Sequence, residues 1–308
     1  MSRKPTSVSR FGIQRKIVAN MTSEGWRTAP HCSYVFEPDL TDFIAKYKAF
    51  DNELKKDGKH VTFNTVMIKA ICEALKASPN MNAHFNFEQK LVRGKITTFD
   101  QIDISMPWIL PDDRMMTITM KDMGNRSLGN MTAYMAETAK KIEKTDLNEA
   151  MYQVSMHDTF EKLRKGKIIH VGQRLIGSLT SKKHRITHLT GAAKKAYDAI
   201  PDSEKLTVSD LKQGTITISN VGSVAREHDG AVSMLIIIPP QVCAIAINAM
   251  QKKPVVVKNA EGKDEIAIKT TVPLTICFDH RVLDFGEVKP FLDALQKIFD
   301  DPSDILKY

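Results

Sequence analysis

The chain has 308 residues, of which 42% are hydrophobic and 26% are charged, a composition typical of a water-soluble globular protein. Its net charge is +8, and the segment at about 144–205 supplies +5 of it, with 12 lysines and arginines against 7 aspartates and glutamates. The remaining chain is nearly balanced, which argues against a nucleic-acid-binding protein. Without a signal-peptide pattern or a run of about 18 apolar residues, the sequence predicts a cytoplasmic protein with no membrane span.

The four cysteines occur in apolar or strand-like contexts and form no CxxC pair: Cys32, Cys72, Cys243 and Cys277. This spacing favours neither a zinc site nor a disulfide framework. We therefore expect no bound metal and four buried free thiols in a reducing compartment.

The first half of the chain alternates helical and strand patterns. Residues 1–12 are polar and basic and predict an N-terminal arm. Helical periodicity follows in GIQRKIVANMTSEGW, then a strand in HCSYVFEPDL and a helix that starts near Asp39. The next helix is predicted to start after Asn64 as its N-cap and to end at Pro79. Three strands and a helix come next, in KLVRGKITTF, DISMPWIL, RMMTITMK and LGNMTAYMAETAKKIEK.

The segment at about 144–205 departs from this rhythm and predicts an insertion with a small structure of its own. Its basic clusters suit either a solvated helix face or a surface that contacts a partner, a membrane or phosphate, and the sequence leaves these alternatives open. Strands return in GTITISNVGS, CAIAINAM, PVVVK and TVPLTICFDH, and GEVKPFLDALQKIFDD predicts the closing helix. A glycine-rich nucleotide motif is absent from the sequence, so a nucleotide-binding α/β fold is not indicated.

His280 is the final residue of the last predicted strand, with Asp279 before it and Asp284 four residues on. An imidazole, whose unperturbed pKa is near ~6.5, can take a proton from a thiol or hydroxyl at neutral pH. A lone histidine is, however, more often a surface or core residue. Asp284 could orient the ring, cap the following helix or lie in solvent, and spacing alone favours capping.

Ser219 and Asn220 lie where the strand of GTITISNVGS meets a loop. A serine hydroxyl in a glycine-flanked turn can donate a hydrogen bond to the oxyanion of a tetrahedral intermediate in acyl transfer. The alternative is a strand that carries threonine and serine on a solvated face.

These two stretches together resemble the acyltransferase cores of 2-oxo acid dehydrogenase complexes, in the chloramphenicol acetyltransferase-like superfamily. DHRVLD, residues 279–284, is similar to the family signature DHR-x-x-D/N-G. Further similar stretches follow the family order: RKIVANM, TAPHCSYVFEPDLTDF, VTFNTVMIKAICEALKASPNMNAHF, EKLTVSDLKQGTITISNVGS, IIIPPQVCAIAINAM and DDPSDIL. The resemblance implies an α/β fold, a chloramphenicol acetyltransferase-like two-layer sandwich whose mixed β-sheet is flanked by helices, over residues 13–308.

The resemblance also implies a mechanism. His280 would be the general base that deprotonates the attacking thiol or hydroxyl, and Ser219 would donate to the oxyanion. The site would lie between two subunits of a homotrimer, with coenzyme A entering from one end and the acceptor from the other. The acceptor would be a dihydrolipoyl group on another protein or a small molecule.

Supporting residues follow from the same resemblance. Asp284 would be part of the catalytic site and support the histidine loop through an arginine near the N-terminus, Arg15 or Arg10. Asn220 would support the turn after the serine. One position departs from the family pattern, because Phe285 stands where the family has glycine. This substitution implies either a rebuilt histidine loop or a partly closed acceptor channel.

The sequence contains no lipoyl domain, lipoyl-lysine hairpin or subunit-binding domain, so we expect no lipoyl group on this chain. The expected partners are copies of the chain in a trimer or larger shell, together with dehydrogenase-complex subunits or a lipoyl-carrying protein. An alternative function is a non-catalytic trimeric scaffold that organises partner subunits.

Overall fold

The structure of the chain is a computed structural model that describes residues 4–110, 115–164, 166, 172, 188–224 and 227–308. The chain divides into two compact units: Met1–Ser23 with Glu137–Lys212, and Glu24–Ala136 with Gln213–Tyr308. In the part of the chain that is described, no helix is both long enough and apolar enough to span a bilayer.

The helices of the described residues include the five predicted ones in their predicted order, together with four that were not predicted. They are α1 (Ile13–Thr28), α2 (Thr41–Lys56), α3 (Phe63–Leu75), α4 (Leu128–Glu143), α5 (Leu147–Arg164), α6 (Gly191–Asp198), α7 (Val208–Leu211), α8 (Val221–Val224) and α9 (Phe285–Asp300). The closing helix α9 confirms the prediction from its apolar periodicity, with Val288, Phe291, Leu292, Leu295 and Phe299 buried.

The strands form one large sheet and two hairpins. They are β1 (His31–Phe36), β2 (Ala83–Glu88), β3 (Arg93–Thr98), β4 (Ile104–Ile109), β5 (Met115–Met120), β6 (Ile216–Asn220), β7 (Cys243–Ile247), β8 (Gln251–Lys258), β9 (Asp264–Thr271) and β10 (Leu274–Asp279). The six-stranded sheet has the order β1-β10-β7-β6-β4-β5, and β2–β3 and β8–β9 form separate two-stranded sheets. The sheet is mixed, because β6 runs parallel to β4 and β7 while the other pairs are antiparallel.

The main core lies between one face of this sheet and the helices α2, α3 and α9. Ile216 and Ile218 of β6 belong to this core, as do Phe43 of α2 and Phe291 of α9. Because side chains alternate along a strand, Ser219 and its neighbours at every second position face the opposite side of the sheet. The predicted mixed sheet flanked by helices is therefore confirmed.

Two local predictions are wrong. Asn64 is not the N-cap of α3, because Thr62 has extended backbone angles and its hydroxyl accepts the Thr65 N–H at 3.1 Å, so the helix starts at Phe63. The strands β2 and β9 were missed as well. Each pairs with its neighbour in a two-stranded hairpin, and apolar residues alternate in both: Ala83, Phe85 and Phe87 in β2, and Ile266 and Ile268 in β9.

Asp51, the buried acid of α2, is held by three donors. Its side chain accepts hydrogen bonds from His60, from the Val61 N–H and from Lys55. Burial alone would raise the pKa of Asp51, but the hydrogen bonds from Lys55, the Val61 amide and His60 lower it from 3.8 to about 2. The ionised form therefore stabilises the folded chain at neutral pH.

The first unit contains part of the predicted insertion. Glu149 of α5 is buried, and its carboxylate accepts the Leu189 N–H at 3.0 Å and pairs with Lys194 of α6 at 3.1 Å. Burial opposes ionisation of Glu149, but the hydrogen bonds from Lys194 and its other donors lower the pKa of this carboxyl. The insertion at about 144–205 stays a prediction, since much of its basic segment lies outside the described residues.

Candidate active site

His280 is exposed and lies in the turn between β10 and α9. Its backbone N–H donates to the Pro30 carbonyl oxygen at 3.0 Å. The Asp279 carbonyl oxygen accepts the N–H groups of Val282 and Leu283, both at 3.0 Å. Backbone hydrogen bonds thus close the turn, and they fix the place from which the imidazole projects.

One nitrogen of the His280 ring is engaged within the turn. Nδ1 lies 3.0 Å from the Leu283 carbonyl oxygen. Because a carbonyl oxygen only accepts hydrogen bonds, Nδ1 carries the proton of the neutral ring, and Nε2 keeps its lone pair. The ring also packs against Phe278, with ring centroids 6.0 Å apart. An exposed imidazole in this tautomer can accept a proton at Nε2, which is the chemistry of a general base.

Asp279, directly before His280, is buried and ion-paired. Its carboxylate accepts Arg281 Nε–H at 3.0 Å and Nη2–H at 2.6 Å, and Oδ1 also accepts the Arg281 backbone N–H at 3.0 Å. A buried carboxylate without a partner is strongly destabilising, so the arginine neutralises it in place. The pair stabilises the same turn that carries His280.

Ser219 lies near the end of β6 and is half-buried. Thr217, two residues earlier on the same face, donates its hydroxyl to Gln241 Oε1 at 2.6 Å. The Ser219 hydroxyl, in contrast, has no hydrogen-bond partner within the described part of the chain. A hydroxyl without a partner can donate to an oxyanion, so Ser219 suits the predicted role better than Thr217 does.

The strand register places His280 and Ser219 at opposite ends of the sheet. Ser219 pairs with Ala246 of β7, and Ala246 pairs with Thr275 of β10. His280 comes five residues after Thr275, which corresponds to roughly 17 Å along the strand at about 3.4 Å per residue. Hydrogen bonds span only about 3 Å. The two side chains of one chain therefore cannot act on the same reacting atom.

Asp284 caps the closing helix. Its Oδ1 accepts the N–H groups of Gly286 at 2.8 Å and Glu287 at 3.2 Å, and the Glu287 carboxylate accepts the Asp284 N–H at 3.1 Å. This reciprocal pair is a capping box, the role that spacing alone favoured. The support that Asp284 would give the histidine loop through Arg15 stays a prediction, as does its catalytic role.

Asn220 ties the end of β6 to the start of α3. Its Nδ2–H donates to Asn64 Oδ1 at 2.7 Å, and its Oδ1 accepts the Ser223 N–H at 2.9 Å. A Cβ at Gly222 would lie 2.4 Å from the Asn248 carbonyl oxygen, so this turn requires glycine. These contacts order the chain directly after Ser219. A contribution of Asn220 to catalysis stays a prediction.

Phe285 is the first residue of α9, and 46% of it is exposed. Its ring meets the Tyr34 ring edge-on, with centroids 5.0 Å apart. Neither Phe285 nor Gly286 has a positive φ, so the backbone after Asp284 is one that phenylalanine adopts without strain. The turn therefore accommodates the substitution, while the narrowed acceptor channel stays a prediction.

Other chemistry-bearing groups lie away from these residues. A cleft of about 470 Å³ in the second unit is lined by charged groups that include Lys69, Glu73 and Arg126, but by neither His280 nor Ser219. The described ranges contain no cluster of histidine, cysteine, aspartate and glutamate that could hold a metal ion. All four cysteines are free thiols, but the expected burial holds only for Cys72, Cys243 and Cys277, because Cys32 is half-buried.

The chain belongs to the family of 2-oxoacid dehydrogenase acyltransferase catalytic domains, whose model matches residues 2–160 and 182–307. The interruption at 161–181 falls inside the segment predicted as an insertion. The chain is 26% identical to the lipoamide acyltransferase component of the branched-chain alpha-keto acid dehydrogenase complex of Bacillus subtilis, over 93% of this chain and 52% of that protein. It is 24% identical to the dihydrolipoyllysine-residue acetyltransferase component of the pyruvate dehydrogenase complex of Mycobacterium tuberculosis, over 92% of this chain and 39% of that protein. The chain thus spans about half or less of the length of these relatives.

Solved structures of this family share the fold. A probable dihydrolipoamide acetyltransferase from Listeria monocytogenes superposes with a TM-score of 0.64 at 22% identity, over 99% of this chain and 98% of that one. A dihydrolipoamide acetyltransferase of Azotobacter vinelandii, studied for one serine, one histidine and one asparagine in its catalytic mechanism, gives a TM-score of 0.63 at 19% identity, over 98% and 95% of the two chains. At these identities the similarity establishes the fold alone.

Three contacts at the site were not predicted from the sequence. The carbonyl of Leu283, which sets the His280 tautomer, is a backbone group, so no pattern of residue types predicts this contact. The bond from Thr217 to Gln241 joins residues that are distant in sequence. The Arg281 ion pair had a signal, since an arginine two residues after a buried aspartate can fold back onto it.

Proposed function

We propose that this chain is an acyltransferase that moves an acyl group between coenzyme A and a thiol acceptor. The observation that carries the proposal is the exposed imidazole of His280, held by the Leu283 carbonyl with the Nε2 lone pair free, in a chain of an acyltransferase family. The names of the relatives favour a dihydrolipoyl group as the acceptor.

The reaction would proceed in two steps at one centre. His280 Nε2 takes the proton of the attacking thiol, and the thiolate adds to the thioester carbonyl carbon. The carbonyl oxygen becomes an oxyanion, to which the Ser219 hydroxyl donates a hydrogen bond. Collapse of the tetrahedral intermediate breaks the original carbon–sulfur bond, and the protonated imidazole returns its proton to the departing thiolate. Atoms and charge balance, and the base is regenerated.

The site would be completed by a second copy of the chain. The roughly 17 Å between His280 and the level of Ser219 along the strands excludes one chain from supplying both groups to one oxyanion. A head-to-tail contact that brings the His280 end of one copy to the Ser219 end of the next closes into a ring when the rotation between copies is a whole fraction of a turn, and a third of a turn gives a trimer. We propose a trimer, consistent with the cubic core of a pyruvate dehydrogenase complex that shares this fold.

An unpaired apolar surface supports self-association. The β8–β9 hairpin starts and ends at the Ser219 end of the sheet, since β10 follows it directly. Three aliphatic side chains on one of its faces are 69–76% exposed: Val256, Ile266 and Ile268. An isolated two-stranded hairpin with a bare apolar face is marginally stable. Dehydrogenase subunits or a lipoyl-carrying protein as partners, and the cytoplasmic location, stay predictions from the sequence.

The proposal is tested by assaying the purified chain with acetyl-coenzyme A and free dihydrolipoamide. We expect transfer that falls roughly 10²–10⁴-fold in His280→Ala, the effect of losing a positioned general base. His228, which lies in a loop, provides the matched control as His228→Ala, with parental activity expected. Absence of transfer from an assembled parent chain, across several acyl-coenzyme A donors, would reject the proposal and leave the non-catalytic scaffold as the function.

A further inference from the structure

The β2–β3 hairpin carries a pair of phenylalanine rings outside the main sheet. The rings of Phe85 and Phe87 are stacked, with centroids 5.8 Å and planes 15° apart. Gly94 pairs with Phe87 across the hairpin, and a Cβ at Gly94 would lie 3.1 Å from the Phe85 ring and 3.4 Å from the Phe87 ring. Glycine at this position therefore leaves the space that both rings occupy.

The guanidinium of Arg281 lies over both rings. Its central carbon is 5.0 Å from the Phe85 centroid and 5.7 Å from the Phe87 centroid, within the range of a cation–π contact. The edge of the same group binds Asp279 through two N–H donors. A planar guanidinium can use its edge for hydrogen bonds and its face for stacking at the same time. Arg281 thus connects the hairpin to the turn after β10.

This connection extends to His280, the general base of the proposed reaction. Arg281 follows His280 directly, and the Asp279 that it binds precedes His280. The Asp279 carbonyl also accepts the N–H of Leu283, whose own carbonyl accepts the His280 ring proton. Phe87 is 39% exposed, so core burial alone does not account for its placement beneath the arginine.

We propose that Phe85 and Phe87 are positioning residues, which hold the Arg281 guanidinium on Asp279 and thereby keep His280 in the orientation for proton transfer. This inference rests on the proposed acyltransferase function. When the rings no longer support the guanidinium, Arg281 leaves Asp279 more often and exposes an uncompensated carboxylate beside His280. Asp284, the other nearby acid, is already engaged as the helix cap. A free negative charge near an imidazole favours its protonated form.

The first test is steady-state kinetics of Phe87→Leu, which removes the ring face but keeps an apolar side chain. We expect kcat to fall about 3- to 10-fold, with the KM for coenzyme A unchanged and the acidic limb of the kcat–pH profile shifted to higher pH. Phe87→Tyr restores the ring and should restore both readouts. Leu91→Ala, at a 62% exposed position of the same hairpin, is the control for general loosening. Equal losses in Phe87→Leu and Phe87→Tyr, or an unshifted pH profile, would make the role merely structural and overturn the inference.

The second test is independent of turnover. The titration of the His280 ring is followed by NMR without substrate in the parent chain, Phe87→Leu and Arg281→Lys, where lysine keeps the charge but loses the fork and the stacking face. We expect the midpoint to rise in both variants. If the His280 titration midpoint rises in both variants but the parent chain shows no acyl transfer, the link between the hairpin and His280 is supported and the proposed acyltransferase function is rejected. Unmoved midpoints in both folded variants of an active enzyme would refute the positioning role and leave the acyltransferase proposal intact.

Discussion

Subunit mixing tests whether each active site is shared between two chains. His280→Ala and Ser219→Ala each remove one half of the proposed site, so a homogeneous assembly of either variant should be nearly inactive. Denaturing the two variants together in equal amounts and refolding them creates assemblies in which some contacts pair an intact His280 with an intact Ser219. Activity should then reappear, although neither starting protein has it.

The expected recovery follows from the ring geometry. Each site takes His280 from one chain and Ser219 from the next. In an equal mixture, His280 is intact in half of the chains and Ser219 is intact in the other half. If subunits mix at random in a closed head-to-tail ring, one half of one half, or about a quarter, of the sites are complete. The separation of roughly 17 Å along the strands leaves no route by which a single chain could complete a site.

The assay is acyl transfer from acetyl-coenzyme A to dihydrolipoamide before and after mixing. Each variant refolded alone controls for damage, and refolded parent chain sets the full scale. Two affinity tags, one on each variant, allow mixed assemblies to be isolated. Assemblies that carry both tags but recover no activity would show that the reasoning from the strand register is wrong.

Three further predictions use single substitutions. Ser219→Ala should lower kcat about 10²–10³-fold and leave KM nearly unchanged, whereas Thr217→Ala, measured in parallel, should mainly lower stability. Asp284→Ala should cost about 1 kcal/mol of unfolding free energy through the lost helix cap, while Asp284→Asn keeps it, so an activity loss in Asp284→Asn would isolate a catalytic role. Asp51→Asn should lower stability at neutral pH by about 1–3 kcal/mol. Because the folded pKa of Asp51 is about 2, this difference should shrink as the pH falls from 3.8 toward 2 in urea denaturation.

Local patterns in the sequence were sufficient where a residue's role depends on its neighbours in the chain. The apolar periodicity of α9, the Asp284 cap and the strand that ends just before His280 all follow from interactions within a few residues. The Asn64 cap failed for an equally local reason. Thr62, two residues earlier, already has the extended backbone that a cap requires.

Only the tertiary structure decided how these pieces meet. The order β10-β7-β6 and the strand directions place the Ser219 end of β6 at the same end of the sheet as the start of β10, so His280 after the far end of β10 must serve another site. The hydroxyl of Thr217 donates to Gln241, which lies 24 residues after Thr217 in the chain. The hydroxyl of Ser219, on the same face of β6, therefore remains available to donate to an oxyanion. Strand order and side-chain partners depend on which surfaces pack together in the folded chain, and residue spacing does not encode them.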